Sequence, residues 1–432
     1  MATKKNPVPR TSLPPKEGTA QLYISATEAA KSLGIKVQSL YAYVSRGLVR
    51  SILQPGSRHR LYYREDIERA GKRMGGRGGM PDTVEAVLTW GTPLFHTAIT
   101  DLRADGPVYR GRPAIPLAQS GRTFESVAEL LWTGMDLPQI SAWEAAEAPA
   151  GVADRLAAAV AGLEGVSCLR LMALTTTLVA VAGQRRPDFE RGTTVGDARQ
   201  LLGLYCGALG LLGPKPSFIG AQDAGTPLAS IFLRAMSGEV NRDTLRAINF
   251  AFILCADHEM SPATLSARVA ASSGAELRAC LLAAIGTHSG MFLAGGCDGS
   301  EALLRAARSA QEMHELMLRL ERTGERIPGY NLKAYPQGDP RARSLLELAE
   351  GFGPKGRRVR ELIGSVERDF DLRPGLEVGL IALAAALDLP PRSASAIWAI
   401  GRCAGWVAHV IEQRQQAFMV RPRARYVGPA PH

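Results

Sequence analysis

Aromatic side chains are scarce, at 6 % of the chain, and the six cysteines never occur as a closely spaced pair. Cys168, Cys206, Cys255, Cys280, Cys297 and Cys403 are scattered, which argues against a disulfide framework or a zinc site and for reduced, buried thiols in a cytoplasmic protein. The first 16 residues are polar and proline-rich and lack the apolar centre of a signal peptide. No uncharged apolar stretch of about 18 residues stands out, so no membrane span is expected. A phosphate-binding loop is missing too: Gly75-Gly76-Arg77-Gly78-Gly79 reads as a flexible joint. What the chain does have is length and apolar content. Its 432 residues, 46 % of them hydrophobic and rich in Ala and Leu at helical spacing, predict a mainly α protein of two or more domains.

The formal net charge is +10, and residues 1–80 carry all of it, with 15 Lys+Arg against 5 Asp+Glu; the remaining 36 basic and 36 acidic residues cancel. A basic block of that kind points to a polyanion partner. Residues 1–18 contain four prolines and read as a disordered arm, with order beginning at Tyr23. Ser25 and Glu28 have capping-box spacing, so a helix is predicted through Ala29, Ala30 and Leu33, broken at Gly34. A second helix is predicted over Val37 to Ser45, with Val37, Leu40 and Val44 facing inward and ending at Gly47. After the turn Pro55-Gly56-Ser57, Arg58, Arg60 and Arg64 follow, with Leu61, Tyr62 and Tyr63 between, as a wing, a β-ribbon whose arginines touch phosphate, and Glu65 to Lys72 closes as a helix. The run Ala29 to Ile35, then Leu40-Tyr41-Ala42-Tyr43 and the wing, resembles the MerR/excisionase class of winged helix-turn-helix domains. That resemblance implies DNA as the partner, with Gln38, Ser39, Tyr41, Tyr43, Arg46, Arg58 and Arg60 as the contacting residues. The domain is expected over 19–73, and a Gly-rich linker over 74–82.

From residue 83 on, helix follows helix with short Gly/Pro breaks. Thr97-Ala98-Ile99-Thr100-Asp101, Tyr109-Arg110-Gly111 and Phe124 to Trp132 occur in order. They are followed by Cys255-Ala256-Asp257-His258-Glu259, Gly295-Gly296, Ile327-Pro328-Gly329-Tyr330, Gly338-Asp339-Pro340-Arg341, Ala399-Ile400-Gly401-Arg402 and Arg421-Pro422. Over 83–432 this series resembles citrate synthases, particularly bacterial forms with an N-terminal helix-turn-helix. The resemblance implies a mainly α-helical homodimer of two lobes, a large one of 83–262 and 375–432 and a small one of 263–374. It also implies a cleft site and condensation of an acyl-CoA with oxaloacetate.

By the same resemblance, His258, Arg341, Arg402 and Arg421, the last from a partner subunit, bind oxaloacetate or a related di- or tricarboxylate. Several arginines suit a dianion because each guanidinium offers a fixed fork of donors. The proton-handling positions differ. Ala294 stands where the family has the histidine before Gly-Gly, with one residue inserted, Leu332 stands at the second histidine, and Glu377 replaces the aspartate base. A longer carboxylate can remain a base, but neither Ala nor Leu donates a hydrogen bond. One lost donor at a developing charge costs about 10²–10³ in rate. Asn331 and His288 are the only substitutes nearby, and His288 reads as a solvated or capping residue; His96, His314, His409 and His432 match no catalytic position. Two functions follow: a catalytically impaired, metabolite-responsive DNA-binding regulator, or an active citrate- or methylcitrate-synthase-like C-acyltransferase using Glu377. A structural partner in mixed dimers with an active synthase is a third. No tightly bound cofactor and no metal are expected; acetyl-CoA or another acyl-CoA would be a substrate.

Overall fold

The computed structural model describes residues 23–33, 51–53, 59–64 and isolated positions (35, 37, 40, 44, 49, 66 and 67) of the N-terminal part. It also describes residues 95–422 except 145–146, 184–185, 221–224, 324–328 and 417. The chain divides into two compact units, Met1–His96 and Thr97–His432.

In the first unit Arg60–Tyr63 is the central strand of a three-stranded antiparallel sheet, flanked by Tyr23–Ser25 and Ser51–Leu53. Leu53 pairs with Arg60 and Ser51 with Tyr62, so the β-ribbon expected around Arg60 is present as a pair of antiparallel strands. Helix Ala26–Leu33 starts at the predicted capping box. Glu28 N–H donates to Ser25 Oγ at 3.2 Å, and Ser25 N–H donates to the Glu28 carboxylate at 2.9 Å. Ile24, Ala29, Leu33, Leu40, Val49, Tyr62 and Ile67 form the unit's own apolar cluster, with Val44 packed against it. Val37, expected to face inward, is 37 % exposed and lies outside the cluster, which Leu40 and Val44 fill one and two turns further on. Gln38, Ser39, Tyr41, Tyr43, Arg46 and Arg58 lie outside the described residues, as does the 74–82 linker. Arg60 is exposed and donates from Nη1 to Ser51 Oγ at 2.8 Å across the hairpin.

The second unit is mainly helical, with one feature the helical periodicity did not announce. Thr100–Arg103, Gly106–Tyr109 and Arg112–Pro113 form a small antiparallel sheet. The organising element is the 24-residue helix Ser393–Gln416. Its length and hydropathy would suit a membrane span, yet 94 % of the apolar window is buried inside the protein, so it is a core helix. Helices Phe124–Thr133, Arg242–Cys255, Pro262–Ser272 and Leu376–Ala386 pack around it. Two glycines set how closely. A Cβ at Gly401 would lie 2.6 Å from Cys255 Cβ, and one at Gly405 would lie 2.2 Å from Asp257 Oδ1. No other residue lets the long helix seat against the end of Arg242–Cys255. Helices Pro262–Ser272 and Leu277–His288 contribute to the main apolar core, as do Leu345, Leu346 and Ala349 of Pro340–Glu350. A separate cluster of Ala307, Met313, Met317, Leu362 and Val366 forms between Ala310–Thr323 and Pro354–Phe370. All six cysteines are buried free thiols.

Candidate functional site

The loop after Arg242–Cys255 is held rigidly from behind. The Tyr109 hydroxyl, carried in by the small sheet, donates toward Ile253 O at 3.1 Å and Asp257 O at 3.2 Å. Asp257 Oδ2 accepts from Glu259 N at 3.0 Å and faces His409 Nε2 at 3.3 Å. Arg268 Nη1 donates to His409 Nδ1 at 3.0 Å and to Glu412 at 2.6 Å. An arginine only donates, so Nδ1 is the acceptor and the His409 proton sits on Nε2, toward Asp257. Burial would raise the Asp257 carboxyl, but His409 and the Arg402 guanidinium hold it below its usual range.

On this support stands His258. Its Nε2 is enclosed and has no hydrogen-bond partner. Burial, reinforced by the Arg341 and Arg402 charges, keeps the imidazole neutral by pulling its pKa well below the usual value. Arg402, nearly fully buried, donates from Nε to Cys255 O at 2.7 Å, next to the close approach of Gly401 to Cys255. Arg341 opens helix Pro340–Glu350, whose N-cap is Asp339; Asp339 Oδ1 accepts from the Arg341 backbone at 3.0 Å. The same carboxylate grips the guanidinium by Nε (3.0 Å) and Nη2 (2.6 Å), leaving the enclosed Nη1 unpartnered. Three of the four anion-binding residues read from the sequence are thus brought together. Arg421 is not part of this buried cluster: it is exposed on the C-terminal segment, which is pinned by Val420 N donating to Ser272 Oγ at 3.0 Å.

Glu377 lies in the first turn of Leu376–Ala386, over Gly329, whose missing Cβ would be 2.8 Å from Glu377 Cγ. The Cys255 thiol, pushed up to about 12 by burial, feels Arg402, Arg341, Asp339 and Glu377 together, so the carboxylate belongs to the same neighbourhood. The two histidine positions contribute no side-chain donor. Ala294 is buried at the start of Ala294–Ala306, and Leu332 is 37 % exposed. The Asn331 amide oxygen accepts from Arg373 N at 2.8 Å while Asn331 N donates to Arg373 O, which ties this residue to the segment before Leu376–Ala386. His288 is neither solvated nor a surface cap. It is 1 % exposed, wedged edge-on between Trp398 (4.9 Å) and Trp406 (5.2 Å). Burial, together with the Arg402 charge, pulls its pKa well below the usual value and keeps it uncharged.

Sequence reasoning missed two groups. Tyr335 packs its ring against His258 at 5.8 Å and under Arg341 at 5.7 Å. His409 anchors Asp257; the spacing Trp398, Arg402, Trp406, His409 places all four on one helix face and was the available signal. A cavity of about 830 Å³ among Leu163, Leu212, Pro214, Met236 and Pro391 shares no residue with this cluster.

The profile of the citrate synthase C-terminal domain matches residues 88–423. The chain belongs to the citrate synthase family. It is 27 % identical over 356 residues to the citrate/2-methylcitrate synthase of Bacillus subtilis, covering 77 % of this chain and 93 % of that protein. To the citrate synthase of Mycolicibacterium smegmatis it is 25 % identical over 361 residues, 78 % and 94 % of the two chains. The chain spans little more than half the length of other curated relatives, 58 % of mycobacterial ones and 56 % of a citrate synthase 2 of Bacillus subtilis. The fold is that of the citrate synthase of Thermoplasma acidophilum, solved in a ternary complex with carboxymethyl coenzyme A and oxaloacetate. The TM-score is 0.69 at 20 % identity over 79 % of this chain and 95 % of that one. The Thermotoga maritima citrate synthase gives 0.67 at 21 % identity, covering 79 % and 95 %.

Proposed function

We propose that this family member binds oxaloacetate or a related di- or tricarboxylate, catalyses condensation poorly, and couples acid binding to DNA binding through its basic N-terminal module. The observation that carries this reading is the mismatch inside one site. His258 and Arg341 each hold an enclosed, unpartnered nitrogen beside the buried Arg402, while Ala294 and Leu332 leave the reacting oxygens without imidazole donors. Binding of an anion needs the first set; protonation and enolate stabilisation need the second.

The regulatory part rests on the concentration of charge in residues 1–80 and on the hairpin and capped helix, features suited to a winged helix-turn-helix. Regulation further requires that the acid bind open and closed states unequally. A homodimer is part of the proposal: Arg421 would reach the site of a second copy. Val181, Val269 and Leu282 leave apolar side chains exposed on helices that pack side by side. A twofold dimer would read a roughly twofold-symmetric DNA site.

Glu377 over Gly329 favours a second reading, an active acyl-CoA:oxaloacetate C-acyltransferase of the citrate or methylcitrate synthase kind with the glutamate as base. Release of free CoA from acetyl-CoA or propionyl-CoA plus oxaloacetate separates the two. Turnover matching an ordinary synthase establishes the second reading; binding of oxaloacetate with CoA release near background supports the first. If deleting residues 1–80 leaves DNA affinity unchanged, the DNA assignment falls.

A further inference from the structure

The acid-binding reading accounts for His258, Arg341 and Arg402 but leaves Tyr335 without a role. Tyr335 is 3 % exposed, and its hydroxyl is enclosed without any hydrogen-bond partner. Leaving a buried hydroxyl unsatisfied is unfavourable, and such groups in folded proteins nearly always have a partner. Its placement is built rather than incidental. Tyr335 N donates to Leu332 O at 2.9 Å, and Gly338 N donates to Tyr335 O at 2.9 Å. One turn therefore closes on Tyr335 and the next leads from it to Asp339, the residue that caps the following helix and orients Arg341. The ring contacts both the His258 imidazole (5.8 Å, edge-on) and the Arg341 guanidinium, which lies over it at 5.7 Å. Both neighbours carry an unpartnered atom of their own, His258 Nε2 and Arg341 Nη1.

We propose that Tyr335 is a ligand-binding residue, its hydroxyl donating to an oxygen of the same small carboxylate that His258 and Arg341 hold. This deepens, and rests on, the acid-binding reading of the cleft. The three groups make a corner dominated by donors. Arg341 Nη1 can only donate, and burial pushes the Tyr335 phenol up to about 12, so it stays protonated at neutral pH. Such a corner suits an oxygen acceptor and disfavours an ammonium group, so the site takes a 2-oxo or 2-hydroxy dicarboxylate over its 2-amino counterpart. Rejection of that kind is steep because a mismatched ligand leaves buried donors unpaired.

Calorimetric titration of the full-length protein tests this, with oxaloacetate, L-aspartate and inorganic phosphate as probes. Tyr335→Phe removes one oxygen and keeps both ring contacts. It is expected to weaken oxaloacetate about ten- to a hundredfold, the range for a hydrogen bond to a charged group, with L-aspartate binding the parent protein far more weakly. Arg402→Gln tests the underlying reading. If it abolishes binding while Tyr335→Phe binds as the parent does, the acid-binding reading stands and the role of Tyr335 is overturned. If the parent takes up no oxaloacetate, or phosphate binds equally well, both fall together. Should the Phe variant not fold, the tyrosine Cζ resonances of the parent decide: a shift of a buried tyrosine on adding oxaloacetate supports the assignment, and no shift refutes it.

Discussion

Glu125 shows what one buried carboxyl does to stability. It is 1 % exposed, accepts a hydrogen bond from Leu228 N at 2.7 Å, and burial pushes its pKa up to about 7. An acid whose folded value is raised contributes its stability below the unfolded value, near 4.5, and loses it as pH rises through 7. Glu125→Gln keeps an acceptor for Leu228 and has no proton to lose. Relative to it, the parent is expected to lose about 2–3 kcal/mol between pH 5 and pH 8, measured as the difference between urea midpoints. Equal pH profiles would count against the buried-carboxyl account. The proton-handling positions are also residue-scale. Leu332→His, at a half-open position, is expected to fold as the parent. Ala294→His, at a fully buried one, is expected to lose about 1–3 kcal/mol from overpacking. The double variant should raise CoA release by about 10² or more over either single one, since each donor alone leaves one oxygen unserved. No gain would mean that something other than the missing imidazoles limits turnover.

Among the elements, the long helix Ser393–Gln416 decides the site because it carries Arg402 between two glycines that touch a neighbouring helix end. A methyl at Gly401 would meet Cys255 Cβ at 2.6 Å and Phe252 O at 2.8 Å, and neither is a flexible side-chain tip. Gly401→Ala is expected to destabilise by about 1–3 kcal/mol. Where it still folds, it should weaken oxaloacetate binding, since Arg402 Nε would leave Cys255 O. Thermal melts and titration of the same sample check both. The glycine–arginine pair was readable as a family motif. That Trp398 and Trp406 on the same face would enclose His288 was not, because that contact joins helices more than a hundred residues apart.

Across the whole molecule, the two units have separate apolar clusters, and the net charge of +10 lies in residues 1–80 while the rest of the chain is balanced. A fragment beginning at Thr97 is expected to retain oxaloacetate affinity and lose DNA affinity. Full-length binding to DNA should fall by roughly 10³-fold or more between about 50 and 200 mM salt, the response of a protein neutralising six or more phosphates. Salt-insensitive binding would contradict a phosphate-dominated interface.

Local chemistry determined a good deal from the chain alone: the Ser25–Glu28 cap, the basic hairpin, the helical pattern of the second unit and burial of the thiols. These depend on spacings of one to a few residues, which sequence order preserves. The three strands at 100–113 escaped because two- to four-residue strands carry too short an alternation to read. The tertiary structure alone decided which polar atoms end without partners. His258 Nε2, Arg341 Nη1 and the Tyr335 hydroxyl are unsatisfied because Asp339 has already taken the rest of the Arg341 fork, and because rings from distant segments close over them. Satisfaction of a buried group is a property of everything packed around it, and no spacing along a chain encodes that.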